Sequence, residues 1–588
     1  MSTGRTVARP RLTSLVGFAC LGLFTLVVVL LIGLAYDLVS LRAQVARLRF
    51  DATAAQHSLQ TTPVQPARIE HSVRLLQRDT TRLRASTRSF TWRIGSLVPV
   101  LGGSLRTATA VALAADDVSH HAVPVLAGIV VDLRTGVRSG PLDVTPISRR
   151  RSALEDADAR LRADERLLAR QDLADPAVRT SFLVVAERLR QLSGVLSNLS
   201  AVARIGPAMT GELGDRRYLV VLQTPAESRA TGGLVGGFVE LRVRRGSVAV
   251  VRSGTNHDLK AGKHKVPVEG GFSQLWGPVG AQQKWYASNL SLDFPSVATV
   301  WTGLYEQQYG VHLDGVLGIT PESVAQLLRV TGPLKLAGGE QLSSQNVAEA
   351  LEVSLYQRFP GRTDETARNA YQLAVLQELS AAVLRPLPPG RNYADALKSG
   401  MLASSVLLAS SHADEEVQLR TTAVGHALPR DGRPFVAWTT QNAAGTKLDV
   451  YVHRDLRYQV RTVGSRQLVR ATIALRNDAP LDGLPSYVTT RTDLPIARRG
   501  AARLGSDKLA VATYLTAGAR VTSVTLDGRP VAFGSGTEQG HPVVTVPTVL
   551  EPAGGTSTIV VSAEQPAVIG PVETLHQPVT HPDALALP

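Results

Sequence analysis

The sequence predicts an α/β protein: an amino-terminal transmembrane helix and helical stalk, a central α/β domain, and a carboxy-terminal all-β, sandwich-like module. Three observations predict it. Residues 12–36 are 25 positions without a charged side chain. Residues 37–209 repeat apolar side chains at helical spacing, as in Leu38, Leu41, Val45 and Leu48, or Leu154, Leu161, Leu167 and Leu168. Beyond about 434 the period falls to two, as in LDVYVHRDLRYQV (448–460), RQLVRATIALRN (466–477) and RVTSVTLDG (520–528).

The chain has 588 residues, enough for three or four structural units at roughly 100–200 residues each. Sixty-three Lys and Arg against 49 Asp and Glu leave +14, yet charged residues are 19% and hydrophobic ones 44%, the balance of a folded chain rather than a disordered polycation. The one cysteine, Cys20, lies in the apolar run. That excludes an intramolecular disulfide, a cysteine-rich metal site and a cysteine nucleophile elsewhere in the chain.

Residues 1–11 carry Arg5, Arg9 and Arg11 without an acidic neighbour, which favours a cytoplasmic amino terminus. As a helix, 12–36 would be about 37 Å long, against a hydrocarbon core of about 30 Å. It is longer than a signal-peptide core, and GLAYD (33–37) offers no small-x-small cleavage site. The remainder is then extracytoplasmic, at the cell membrane. In 37–209, Pro63, Pro66, Pro99, Pro124, Pro141, Pro146 and Pro176 divide the pattern into several helices. The arginines of 82–88 and 149–151 read as solvated faces, with contact to anionic lipid or polymer as the alternative. Nucleic acid is not expected as a partner: aromatics are 5% and no nucleic-acid fold signature accompanies the arginines.

The central domain is expected over 210–430. YLVVLQ (218–223) reads as a buried strand and TPAESRATGG (224–233) as a polar loop. LVGGFVELRVRRGSVAVV (234–251) reads as a hairpin turning at Arg245, Gly246 and Ser247. Helices follow at about 296–309, 321–328, 344–356 and 366–384, with a strand at 315–319. The β module is expected over 431–566, of immunoglobulin-like type, and the tail 567–588 as loosely ordered.

No nucleophile elbow, HExxH pair, Walker A loop or dinucleotide fingerprint occurs. His257, Asp258 and His264 are near one another but flanked by lysines, the texture of a surface loop rather than a zinc site. The remaining constellation is charged groups in loops of the central domain: Glu227 and Arg229, Asp293, Asp314, and Arg358, Arg362, Asp364, Glu365 and Arg368. Arginines suit phosphate or pyrophosphate oxygens, and an aspartate can hold a divalent cation during phosphoryl transfer. The structural alternative stays open: Glu227 with Arg229 and Asp364 with Arg368 as ion pairs, and Asp293 as a helix cap.

YLVVLQTPAESRATGGLVGGF, NLSLDFPSVATVW, GVHLDGVLGITPESVAQLLRVTGPLKL and LSSQNVAEALEVSLY resemble the successive motifs of the bacterial family called domain of unknown function 4012, over roughly 215–428. KLDVYVHRDLRYQV and NDAPLDGLPSYV are similar to the β module that follows in such proteins. The resemblance implies one amino-terminal span and an envelope location, and no established activity. LDGVLGITPESVAQLLRVTGPLKL with LYQRFPGRTDETARNAYQLAVLQEL also resembles, more distantly, the second half of LytR-CpsA-Psr domains. These are membrane-anchored enzymes that move glycopolymers from a polyprenyl-pyrophosphate carrier onto peptidoglycan. In that family an arginine lies four residues before a glutamine, as Arg368 lies before Gln372, whereas its Pro-Arg-Asp loop is absent here.

The expectation is thus an extracytoplasmic envelope protein that binds a phosphorylated polyprenyl glycan in cell-wall or exported-polysaccharide assembly. If it is a phosphotransferase, the charged constellation is expected to place Arg229, Arg358, Arg362 and Arg368 at the pyrophosphate, Mg²⁺ at Asp293 or Asp314, and Glu227 as base, so that Glu227, Arg229 and Arg368 are the catalytic candidates. The alternative is a non-catalytic envelope scaffold binding an anionic cell-wall polymer.

Overall fold

The computed structural model describes residues 65–88, 92, 96, 102–135, 143–169, 176–385, 406–500, 502–568, 572–581 and 584–587. The expected span at 12–36 and the stretch 37–64 lie outside them. No helix among the described residues is long and apolar enough to cross a membrane. The chain divides into two compact units, the first made mainly of residues up to Asp215 and the second of nearly everything after it.

The first unit is helical: α1 (Pro66–Ser86), α2 (Gly102–Asp117), α3 (Val123–Thr135), α4 (Arg151–Ala169) and α5 (Pro176–Met209). A π-helical turn, Val118–Ala122, joins α2 to α3. Leu76, Leu83, Val111, Leu126, Leu154, Leu161, Leu189 and Leu196 share one apolar core, so the helical period marks the buried stripe of each helix. The arginine runs are partly drawn into cross-helix pairing rather than left as plain solvated faces. Arg84 reaches Asp116 at 2.7 Å, and Arg150 pairs with Asp132.

The second unit opens on a five-stranded sheet of β1 (Arg216–Arg229), β2 (Gly232–Arg244), β3 (Ser247–Thr255), β4 (Gly315–Ile319) and β5 (Val406–Ser410), in the order β3-β2-β1-β4-β5. β1 runs antiparallel to β2 and parallel to β4, and β5 closes the other edge antiparallel to β4. The expected hairpin is present: Arg245 and Gly246 both take positive φ, as a tight turn between twisted strands requires. The helices α6 (Phe294–Tyr309), α7 (Pro321–Thr331) and α8 (Glu365–Leu384) fall where the 3.6 period put them. The helix expected at 344–356 is interrupted by a π turn, Ala350–Ser354, before the segment Leu355–Arg358.

From Val436 onward two sheets form, antiparallel except that Ala584–Ala586 pairs parallel at the edge of the second. One contains β6 (Val436–Asn442), β9 (Asp507–Leu515), β11 (Gly534–Glu538) and β12 (His541–Leu550); the other contains β7 (Val452–Val463), β8 (Arg466–Asn477), β10 (Arg520–Leu526) and β13 (Gly555–Pro566). Trp438, Val511 and Val544 of the first meet Leu456, Ile473 and Val561 of the second in one core. Phe435, Ala437, Ala512 and Tyr514 share a different cluster with Phe294 and Trp301 of α6, so residues on both sides of the boundary expected at 430 build one core. The tail differs from expectation over 572–581. Gln577 is buried, accepts from Thr440 N and donates to the carbonyls of Thr440 and Arg229, so its amide satisfies buried backbone groups of two segments.

Residues 224–229, read as part of a loop, continue β1. Polar groups of this segment find buried partners: Ser228 N donates to Asp449 and Ser228 Oγ to Thr440 O, and just beyond it Ala230 N donates to Gln441 Oε1. Register with β2 passes from Thr224↔Leu234 directly to Ser228↔Gly233, so Pro225, Ala226 and Glu227 bulge out of the ladder. A bulge re-aims a side chain, and here the re-aimed one is Glu227. Close approach fixes the glycine opposite: a Cβ on Gly233 would lie 2.0 Å from Thr224 O. Gly233→Ala is therefore expected to destabilise by about 1–3 kcal/mol, measurable by urea unfolding.

Candidate functional site

A shallow cleft opens beside this bulge, within the second unit. Thr224 and Glu227 come from β1 and its bulge, Leu234, Val235 and Gly236 from β2, and Asn256 from the turn after β3. Glu365, Arg368, Asn369 and Gln372 come from the first two turns of α8, with Arg368 and Gln372 one turn apart on the same face. Leu355 and Tyr356 follow the π turn, a distortion often found at functional sites. The far wall is Lys447 and Tyr487, both from the β region.

Arg368 is 3% exposed. Its Nη1 donates to the carbonyls of Phe359 at 2.5 Å and Gly361 at 2.7 Å, and its guanidinium lies 3.7 Å from the centre of the Tyr487 ring. Nη2 is buried and has no hydrogen-bond partner. Among the described residues no carboxylate pairs with Arg368; Asp364 instead accepts from Gly361 N at 2.8 Å and caps the turn before α8. The site thus holds a positive charge met only by carbonyl dipoles and a π face.

Glu227 is paired twice. Arg229 Nη2 donates to Oε1 at 3.1 Å, and Lys447 reaches Oε2. Burial pushes the Glu227 carboxyl up, but Lys447 and Arg229 outweigh it and hold the group below the ordinary carboxylate range. A carboxylate so held is a poor proton acceptor at neutral pH, unlike a base tuned toward 7. Glu365 pairs with His257 at 2.8 Å.

The other candidates lie elsewhere. Arg229 does not line the cleft: Nε donates to Tyr286 O, Nη1 to the carbonyls of Ser228 and Asn442, and Nη2 to Glu227, a set that ties three chain segments together. Arg358 is 56% exposed, pairs with Glu340 at 2.7 Å and lies over Tyr371. Arg362 stands in the turn Arg362–Asp364, and its side chain is outside what the structure describes. Asp293 is fully buried as the cap of α6, accepting from Ser296 N and Oγ, Leu428 N and Arg420. Asp314 accepts from Arg217 N at 2.7 Å, Arg216 at 2.9 Å and His412 at 2.7 Å. Burial raises its carboxyl, and these donors bring it below the ordinary range.

Asp293 and Asp314 therefore do not fit Mg²⁺: each is a separate carboxylate saturated by N–H, O–H and cationic donors. No group of three or more His, Cys, Asp or Glu side chains suited to a metal ion stands together among the described residues. Lys447 and Tyr487 were not singled out from the sequence. Both sit inside the blocks KLDVYVHRDLRYQV and NDAPLDGLPSYV that carry the family resemblance, which was the available signal.

A second, smaller cleft shares Lys447 and Tyr356 and includes Glu352, Val353, Val450 and Val488. Burial pushes the Glu352 carboxyl up to about 7, partly opposed by the hydroxyl of Thr580, which donates to it at 2.6 Å. A raised carboxyl means that the folded chain holds the proton more tightly than the unfolded one, so stability falls as pH rises from about 4.5 to about 7 and stays lower above. Glu352→Gln is expected to gain on the order of 3 kcal/mol at pH 8 and nothing near pH 4, in denaturation curves taken at both values.

Fold and site together define a mixed α/β protein with a cleft built around one buried, half-satisfied arginine. Residues 213–356 match the model of the family described as "Protein of unknown function (DUF4012)". No curated protein matches the chain. The matched segment supplies Glu227, Asn256 and Tyr356; Arg368, Lys447 and Tyr487 lie beyond it.

Proposed function

We propose that this is a membrane-anchored, extracytoplasmic envelope protein whose cleft holds the phosphorylated head of a polyprenyl-linked glycan during cell-wall or exported-polysaccharide assembly. The observation that carries the reading is Arg368, a buried guanidinium with Nη2 unpartnered at a cleft. Phosphate oxygens are the strong acceptors such a donor suits. The charge-free run 12–36 supports the anchor, and the distant resemblance to LytR-CpsA-Psr domains, including Arg368 four residues before Gln372, supports the ligand class and a related central fold. The two facing sheets after 436 are read as the sandwich-like module. The cleft has only three aliphatic side chains, Leu234, Val235 and Leu355, which suits a polar head rather than a hydrocarbon tail.

Binding without turnover is favoured over phosphotransfer, because Glu227 is held ionised between two cations and Asp293 and Asp314 are saturated. The test is mass spectrometry of an organic extract from the full chain purified in detergent. Polyprenyl phosphate or pyrophosphate is expected with the parent and absent with Arg368→Gln. Absence from both, persisting after polyprenyl phosphate is added back, would overturn the reading.

A further inference from the structure

The sheet of β10, β13, β8 and β7 has one face in the core it shares with the other sheet and one face in solvent. Leu456, Tyr458, Val469 and Ile473 point into the core, so the alternation of each strand turns Arg457, Gln459 and Arg461 of β7 and Arg466, Arg470 and Arg476 of β8 outward. Arg520 of β10 stands on the same face, opposite Glu564. Glu564 pairs with both Arg466 at 3.1 Å and Arg520 at 2.9 Å, and Asp478 with Arg476 at 2.8 Å. Arg457, Arg461 and Arg470 are exposed and have no acidic partner among the described residues, although Asp455 shares their face. The register sets them side by side. Arg470 lies opposite Gln459, with Arg457 and Arg461 two positions to either side, so it is the diagonal neighbour of both.

We propose that this arginine face docks on an anionic phospholipid surface. The contact is separate from the anchor read at 12–36 and from the cleft, and it takes from the anchor reading only that a bilayer is within reach. Cations gathered on one face repel one another, and lipid phosphates relieve that repulsion. The charge also spreads in two dimensions. Arg457 and Arg461 are about 13 Å apart along β7, and the step from β7 across β8 and β13 to β10 is about 14 Å. A linear polyanion follows a single row, whereas a bilayer offers phosphates over an area. At the end of the face the β7–β8 hairpin turns at Gly464, with positive φ, and leaves Val463 52% exposed, opposite Arg466 and two residues from Arg461. An exposed aliphatic side chain flanked by arginines suits shallow insertion among headgroups.

The test uses the full chain with its one cysteine removed by Cys20→Ser and an environment-sensitive fluorophore placed on the hairpin through Ser465→Cys. The labelled chain is reconstituted into nanodiscs of phosphatidylcholine alone or mixed with phosphatidylglycerol. Blue-shifted emission is expected only with phosphatidylglycerol, and high salt should reverse it because exposed charges are screened. Arg461→Ser combined with Arg470→Ser, first shown to melt with the parent, should lower the docked-to-undocked ratio about 25-fold, at about fivefold per arginine beside an anionic surface. Arg457→Ser replaces that pair should it not fold. Equal emission in both discs, or a shift that survives the arginine changes, would overturn the inference. So would a shift given by soluble polyphosphate and not by anionic discs, which would assign the face to a linear polymer. A chain that does not embed removes the anchor reading alone, and the same emission is then read on mixing it with the discs.

Discussion

Arg229→Ala is expected to destabilise the second unit by about 3–5 kcal/mol, the range for removing one partner of a buried ion pair. The side chain is buried, and four of its five N–H groups are engaged: with the carbonyls of Tyr286, Ser228 and Asn442 and with Glu227. Alanine leaves those carbonyls without their donor and gives Glu227 to Lys447 alone. Arg229→Lys should not rescue, because one ammonium cannot span a fork of four acceptors. Thermal melts of purified variants check this. A variant that melts with the parent yet has lost phosphate binding would return Arg229 to the ligand and sink the structural assignment.

Arg368→Ala is expected to lower affinity for inorganic pyrophosphate by about 10- to 100-fold, from the loss of a charge-assisted hydrogen bond of about 1.5–3 kcal/mol. Some stability should go with it, since the carbonyls of Phe359 and Gly361 lose their donor. Calorimetry on variants first shown to be folded separates the two effects. Arg358→Ala is the informative comparison. Its guanidinium is half exposed on Glu340 and Tyr371, away from the cleft, so pyrophosphate binding should persist. If Arg358→Ala loses binding and Arg368→Ala keeps it, the cleft is not the anion site.

Much of the architecture was legible because it is local. The helical spacing of Leu154, Leu161 and Leu168, the alternation in 448–460 and 466–477, and the Arg245-Gly246 turn each depend on neighbours a few residues away. The reading of 224–233 as a loop failed for the same reason. Thr224, Glu227, Ser228 and Arg229 look solvated by composition, and only distant partners such as Asp449, Thr440 and Lys447 make burial tolerable.

Of the site, the sequence pointed to Glu227, Glu365, Arg368 and Gln372, and the structure brings them to one cleft. Arg229, Arg358, Asp293 and Asp314 carry the same chemistry in the sequence but are engaged elsewhere, because a side chain's free donors depend on what folds against it. Lys447 belongs to the site only because the loop before β7 returns to Glu227 from 220 residues away. The sequence alone determined the order of helices and strands, the family resemblance and the charge-free amino-terminal run, since period and composition act along the chain. Which charges neutralise one another, and which guanidinium keeps an unpaired donor, was decided only by tertiary structure. Burial and long-range pairing set those free energies, and neither is encoded in spacing.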